Sequence, residues 1–221
     1  MVYKIAEKFI SINGEGQKAG TLAVFIRFTG CNLDCSYCDT KWANEKDCIY
    51  EELSENEIDA YIEESGINNV TITGGEPLIQ EGINDLLKVI SNKQGRRIEI
   101  ETNGSEDISF IKKSFKTNVS ITMDYKLPSS NMEEKMLLSN LELLDINDTL
   151  KFVAGDFIDL EKTLNIINEY KLIDKTNIYI STVYGKIDLD DTVNWMKDNK
   201  LNNVTLQLQL HKIIWGNKKG V

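Results

Sequence analysis

The sequence predicts an α/β fold: an open partial (β/α)6 barrel of parallel strands, formed as a single domain over residues 1–221. Three observations carry this expectation. Short apolar, β-branched runs alternate with segments of helical period, which implies right-handed βαβ units and a parallel sheet. About six such units are too few to close an eight-stranded barrel. The clusters of residues suited to chemistry follow strands, where the reactive groups of parallel sheets collect.

The elements follow in order. Strands are expected at Leu22–Phe28, Asn69–Thr73, Arg97–Glu101, Asn118–Met123, Leu150–Val153, Asn177–Thr182 and Val204–Gln207. Ser54 with Glu57 forms a capping box for a helix over residues 55–65. Ile83, Leu86, Leu87 and Ile90 recur at i, i+3, i+4, i+7, the spacing of one buried helix face. Leu160, Leu164 and Ile167 mark another helix, and Asp190 or Asp191 is placed to cap a last one running through Trp195. Residues 129–148, polar and Met-rich, read as an insertion or mobile loop.

The bulk numbers narrow the class. A chain of 221 residues, 41% hydrophobic and 27% charged, can bury one substantial core and is neither disordered nor fibrous. A net charge of −10 argues against nucleic acid or an anionic membrane as partner. No apolar run reaches the roughly eighteen residues of a membrane span. The N-terminus lacks the layout of a signal peptide. A cytoplasmic location is therefore expected, where thiols stay reduced and serve as metal ligands more often than as disulfides.

Three cysteines fall within one short loop, Cys31-Asn32-Leu33-Asp34-Cys35-Ser36-Tyr37-Cys38. Thiolates are soft donors suited to iron–sulfur clusters or zinc. A structural zinc site wants four ligands, usually as two separated pairs. Here one triplet is followed by Cys48 alone and a distant His211. Three thiolates on a cubane cluster leave one iron open for chemistry. Cys48 reads as a partly buried thiol outside the ligand set.

Gly30 through Thr40 resembles the cluster loop of the radical S-adenosylmethionine superfamily, and Gly74-Gly75-Glu76-Pro77 resembles its second signature. The resemblance spans nearly the whole chain. It implies a 4Fe-4S cluster on Cys31, Cys35 and Cys38, whose open iron chelates S-adenosylmethionine, and a 5′-deoxyadenosyl radical formed by reductive cleavage.

Further segments are similar to one branch of that superfamily. They are Ser11-Ile12-Asn13-Gly14-Glu15-Gly16, Cys38-Asp39-Thr40, Pro128-Ser129-Ser130, and the tail Gln209-Leu210-His211-Lys212 with Trp215 through Val221. This branch contracts 6-carboxy-5,6,7,8-tetrahydropterin to 7-carboxy-7-deazaguanine with loss of ammonia. The chain departs from it at Asn13, where glutamine is more usual, and at Asp124-Tyr125-Lys126, where Ser-Pro-Lys is common.

By this resemblance Tyr37, Cys38, Asp39, Gly75, Glu76, Asp124, Tyr125 and Lys126 face the cofactor. The substrate residues are Ile12, Asn13, Gly14, Glu15, Arg27, Thr73, Glu101, His211 and Lys212, and Thr40 binds Mg2+. A pterin is the implied small-molecule partner, a flavodoxin- or ferredoxin-like protein the reductant, and a homodimer the assembly. Plainer rivals exist: Arg27 as partner of a carboxylate, Glu15 as a turn residue, Thr40 as a cap, His211 as a half-buried strand-end histidine, Trp215 as packing. At the level of function the rivals are an activase acting on a protein glycine and a non-catalytic zinc-binding domain.

Overall fold

The computed structural model describes all residues except 116, 117, 217, 219 and 221. Parts of the closing Trp215–Val221 segment therefore lie outside the described residues. Among the described residues one nine-stranded sheet runs in the order β3-β1-β2-β4-β5-β6-β7-β8-β9. The strands and helices, in chain order, are β1 (Val2–Ile12), β2 (Leu22–Phe28), β3 (Glu51–Ser54), α1 (Glu55–Ser65), β4 (Asn69–Gly74), α2 (Ile83–Ser91), β5 (Arg97–Thr102), α3 (Ser109–Ser114), β6 (Val119–Tyr125), α4 (Ser139–Leu143), β7 (Thr149–Ala154), α5 (Phe157–Glu169), β8 (Asn177–Thr182), α6 (Leu189–Asp198), β9 (Val204–Leu206) and α7 (Leu210–Trp215). From β2 across to β9 every neighbouring pair is parallel, and the sheet stays open.

All seven expected strands and the four expected helices are present. The capping box at Ser54 forms in both directions, with Ser54 N donating to Glu57 Oε2 at 2.8 Å and Glu57 N donating to Ser54 Oγ at 3.4 Å. The α2 stripe of Ile83, Leu86, Leu87 and Ile90 is buried, each side chain stabilising by about 1.5–3 kcal/mol. Two placements are corrected. Asp188, not Asp190 or Asp191, is the N-cap residue of α6, and the two later aspartates sit in its first turn. Residues 129–148 are not a loose insertion: they form 3-10 turns and α4, and bury Ser130, Asn140, Leu141 and Leu144.

The sequence reading missed the antiparallel edge, β1 and β3. A register shift between Ile5 and Glu7 explains why β1 is hard to read. Tyr3 and Ile5 face the helix-covered core. Beyond the bulge Glu7 opposes Arg27, Phe9 stacks on Phe25 at 4.9 Å, and Ser11 opposes Ala23. One extra residue reverses which parity points inward, so no single alternation runs the length of the strand.

The two faces of the parallel sheet differ sharply. Ile72, Ile98, Ile100, Ile121, Met123, Leu150, Phe152, Ile178 and Ile180 form the core under the helices. The alternate positions carry Thr71 and Thr73, Glu99 and Glu101, Thr122 and Asp124, Lys151, and Tyr179. Parallel sheets usually bury apolar residues on both faces. A polar concave face is therefore a place built for a polar ligand. Among the described residues no helix is long and apolar enough to cross a membrane.

Candidate active site

The cysteine loop leaves the carboxyl end of β2 and is held there by neighbouring loops. None of the four cysteines is in a disulfide, and Cys35 is buried while Cys31 and Cys38 are half-buried. Ser36 donates from N to Ser130 O at 3.1 Å and from Oγ to Ser129 O at 2.6 Å. The Tyr37 hydroxyl donates to Val153 O at 3.2 Å. Asn103 Nδ2 donates to Cys31 Sγ at 3.6 Å and to Asn32 Oδ1 at 3.0 Å. Burial pushes the Cys35 and Cys38 thiols up, with Lys126 pulling both back.

The Pro128–Ser130 turn that grips this loop is itself anchored. Asp159 accepts from Ser129 N at 3.0 Å, from the Ser129 hydroxyl, and from Gly155 N at 2.7 Å.

The glycine pair at the end of β4 serves close backbone packing. A Cβ on Gly75 would lie 1.7 Å from Gly30 O, and one on Gly74, at φ 143°, would lie 2.4 Å from Phe28 O. Only glycine permits this approach. The contact is sutured by Gly75 N to Phe28 O at 3.2 Å and Glu76 N to Gly30 O at 2.9 Å.

The Glu76 side chain is turned inward. Its Oε1 accepts from Leu78 N at 2.9 Å and the Thr102 hydroxyl at 2.8 Å, and its Oε2 accepts from Asn103 N at 2.6 Å. Burial pushes this carboxyl up to about 7, although the three donors favour its ionised form. The expectation that Glu76 faces the cofactor is corrected for its carboxylate: those oxygens tie the β4 and β5 loops together.

Below the loops lies a charged floor. Lys151 Nζ stands 2.9 Å from Glu15 Oε2 and 3.6 Å from Asp124 Oδ2, and Lys126 Nζ stands 3.0 Å from the same Asp124 oxygen. Burial raises the Glu101 carboxyl, opposed by Lys151 and by a hydrogen bond from Thr73. Glu99 accepts from the Thr122 hydroxyl at 2.5 Å. Several buried atoms here have no hydrogen-bond partner: Ser11 Oγ, Asn13 Nδ2, Glu15 Oε1, Glu99 Oε2, Asp124 Oδ1 and Ser181 Oγ. Buried polar atoms are normally paired, so a cluster of orphans on one face fits a bound polar molecule.

The chain ends meet over this floor. Leu210 N donates to Gly14 O at 3.1 Å, and Gly16 N donates to Gln207 Oε1 at 2.9 Å. His211 packs on Gly14 so closely that a Cβ there would lie 2.3 Å from its Nδ1. Burial lowers the His211 pKa against the pull of Glu15 and Asp39. Asn13 Oδ1 accepts from the Thr71 hydroxyl at 2.8 Å, which leaves Nδ2 as the available donor.

Other expected residues fall out differently. Arg27 donates from Nε to Glu7 Oε2 at 3.2 Å, so the carboxylate-pair rival holds for that nitrogen. The Thr40 hydroxyl donates to Asp39 Oδ1 at 2.9 Å; Thr40 also stands at the N-cap of a 3-10 turn without a side-chain cap bond. Asp39 is exposed; partial desolvation by the loop would raise its carboxyl, but Thr40 and the cations Lys212, Lys151 and Arg27 bring it below the usual range. Lys212 Nζ lies 3.9 Å from Asp39 Oδ2. Ile12 ends β1 opposite Leu22. The Tyr125 side chain is corrected: it is buried among the helices, 5.5 Å from the Phe152 ring, away from the concave face.

Asn103, Lys151, Glu99 and Asp159 were missed as site residues. A lysine inside the apolar run Leu150-Lys151-Phe152-Val153 was the available signal for one of them.

The donor set fits an iron–sulfur cubane. Among the described residues no three His, Cys, Asp or Glu side chains converge on one ion. A cubane gives each thiolate its own iron, so such convergence is not needed, whereas a zinc ion needs it.

Comparison with known proteins agrees with this geometry. Residues 25–136 match the family model of the radical SAM superfamily. A Clostridium acetobutylicum protein named 7-carboxy-7-deazaguanine synthase is 57% identical over 100% of both chains. One of the same name from Leptospira interrogans is 35% identical over 98% of this chain and 97% of its own. The crystal structure of QueE from Escherichia coli superposes with a TM-score of 0.71 at 26% identity, covering 93% of each chain.

Proposed function

The chain belongs to the radical SAM superfamily and, within it, to the 7-carboxy-7-deazaguanine synthases, and from that premise we propose how its own residues perform the reaction. The reaction contracts 6-carboxy-5,6,7,8-tetrahydropterin to 7-carboxy-7-deazaguanine with loss of ammonia, in queuosine and 7-deazapurine synthesis. The observation that carries this reading is a three-cysteine loop whose Cys35 feels the charges of Lys126 and Asp124, beside a sheet face bearing unpaired buried polar atoms.

Cys31, Cys35 and Cys38 hold the 4Fe-4S cluster, and Asn103 orients the first of them. When bound, cluster and S-adenosylmethionine together supply reversible hydrogen-atom abstraction. Tyr37, Gly75, Asp124 and Lys126 hold the S-adenosylmethionine; Glu76 supports them through the backbone it fixes.

On the substrate side, Glu15 Oε1 accepts from the N–H edge of the pterin and Asn13 Nδ2 donates beside it, a pairing that complements the ring's alternating polar edge. Arg27, held by Glu7 at one nitrogen, offers the rest of its guanidinium to the substrate carboxylate. Thr73 and Glu101 line the adjacent wall. His211 and Lys212 close the site from α7 and exclude water.

The same reading places Mg2+ at Thr40 with oxygen ligands from substrate and water. It includes a flavodoxin- or ferredoxin-like reductant, a homodimer, a cytoplasmic setting and one domain over residues 1–221. Full-length likeness to the synthases favours it over an activase acting on a protein glycine.

The test is anaerobic reconstitution followed by incubation with the carboxytetrahydropterin, S-adenosylmethionine, Mg2+ and reductant. Mass analysis must find a product lighter by one ammonia. Brown protein that cleaves the cofactor yet leaves the pterin intact overturns the substrate; colourless zinc protein overturns the chemistry.

A further inference from the structure

We propose that Lys151 is a positioning residue that locks the substrate-side Glu15 and the cofactor-side Asp124 in place through one shared ammonium, so that both subsites depend on it. The inference rests on the reading above, which assigns Glu15 to the pterin and Asp124 to S-adenosylmethionine.

The geometry is specific. Lys151 Nζ contacts Glu15 Oε2 at 2.9 Å and Asp124 Oδ2 at 3.6 Å. In each carboxylate the other oxygen, Glu15 Oε1 and Asp124 Oδ1, is buried without a partner. One ammonium thus fixes one oxygen of each acid and leaves its twin as an acceptor. The two acids come from distant places, the turn after β1 and the end of β6, while β7 runs beside β6 with Lys151 in register with Asp124. No local contact brings Glu15 to Asp124; the lysine does.

The fold itself does not call for this lysine. Its neighbours Leu150 and Phe152 are core residues of β7, and a buried ion pair is seldom more stabilising than an apolar side chain of similar size. Each orphaned oxygen, by contrast, carries an uncompensated desolvation penalty unless a ligand donor satisfies it. Such a cost is retained where the acceptor has work to do. Lys126 also touches Asp124 Oδ2, so Asp124 keeps one cation when Lys151 is removed, whereas Glu15 has no second ion pair among the described residues. The effect on the pterin side is therefore the larger.

The experiment compares wild type, Lys151→Met, Lys151→Arg, Glu15→Gln and Asp124→Asn as cluster-loaded protein. S-adenosylmethionine affinity is read by isothermal titration, kcat and KM for the carboxytetrahydropterin by turnover, and folding by Tm. Lys151→Met should raise the pterin KM by about tenfold or more and weaken S-adenosylmethionine binding severalfold, as expected for loss of a charge-assisted bond at each acid. Glu15→Gln should affect the pterin alone and Asp124→Asn the cofactor alone. Lys151→Arg should restore part of both, which a merely structural lysine would not do without also restoring Tm. A Lys151→Met protein with both constants within about twofold of wild type overturns the proposal.

Should Lys151→Met fail to fold, the arginine variant and the two single-acid variants decide. Equal losses at both ligands in Glu15→Gln and Asp124→Asn would overturn the division of labour. A wild type that makes no product sinks the functional reading instead, and that outcome is visible before any variant is made.

Discussion

Asn103 donates from Nδ2 to Cys31 Sγ across 3.6 Å, while its own backbone N–H donates to Glu76 Oε2 at 2.6 Å. The glutamate of one signature thereby positions a cysteine of the other, although 45 positions separate Cys31 from Glu76 in the numbering. The two motifs touch directly where Glu76 N meets Gly30 O, and a third loop, Thr102-Asn103-Gly104, links the Glu76 side chain to Cys31.

Removing the Glu76 carboxylate should loosen that assembly. Glu76→Ala leaves the Leu78 and Asn103 N–H groups and the Thr102 hydroxyl without their acceptor. Each such loss costs about 1–3 kcal/mol, and each kcal/mol lowers Tm by about 2–4 °C in a chain of this size. Thermal unfolding and iron content should fall together.

The same residue predicts a pH dependence. Burial raises its carboxyl from 4.5 to about 7 on folding. Between those values the folded state binds more protons than the unfolded state, so its contribution to stability is present at low pH and declines as pH rises toward 7. Urea unfolding at several pH values should show this decline in wild type and a flatter profile in Glu76→Ala. Parallel profiles would show that Glu76 does not titrate in this window.

Gly75→Ala should be worse than its one added methyl suggests. The new carbon would meet the Gly30 carbonyl at 1.7 Å, and backbone cannot rotate out of the way as a side chain can. The expected cost reaches or exceeds the roughly 3 kcal/mol upper end of ordinary overpacking. Low iron loading beside normal loading of wild type is the readout; a stable, brown alanine variant refutes the packing argument.

Replacing Cys31, Cys35 or Cys38 with Ala should abolish cluster absorbance and turnover. Cys48→Ala should leave both nearly intact, because its thiol lies in the segment before β3 and contacts Ile49 O at 3.4 Å. Loss of colour there would mean that the ligand set is wrong.

Two substitutions separate metal from substrate. Thr40→Ala should blunt the response of turnover to added Mg2+ while the brown colour persists. Arg27→Ala should raise KM for the pterin without bleaching the protein. Glu7→Gln is the control, since it removes the negative charge beside Arg27 Nε and keeps the guanidinium.

Much of the fold that positions the candidate site was readable from local pattern. Leu22–Phe28 and Asn177–Thr182 were placed to the residue because β-branched runs end at clear turn signals. The Ser54–Glu57 cap was legible because both partners lie within one turn. The cysteine spacing and the Gly-Gly-Glu-Pro run are likewise local. Tyr125 was misplaced because one sequence cannot say which parity of a strand faces a ligand. β1 was lost because its bulge reverses that parity midway.

The succession of the parallel strands and of four of the helices, the soft ligand triplet and the two glycines were determined by the sequence alone, since each depends on residues a few positions apart. Only the tertiary structure decided that Glu76 turns away from the ligand side, that Asn103 meets Cys31, and that Lys151 joins Glu15 to Asp124. Those relations depend on sheet register and on loops brought together across the chain. They become visible only once the backbone fixes which side chains share a face.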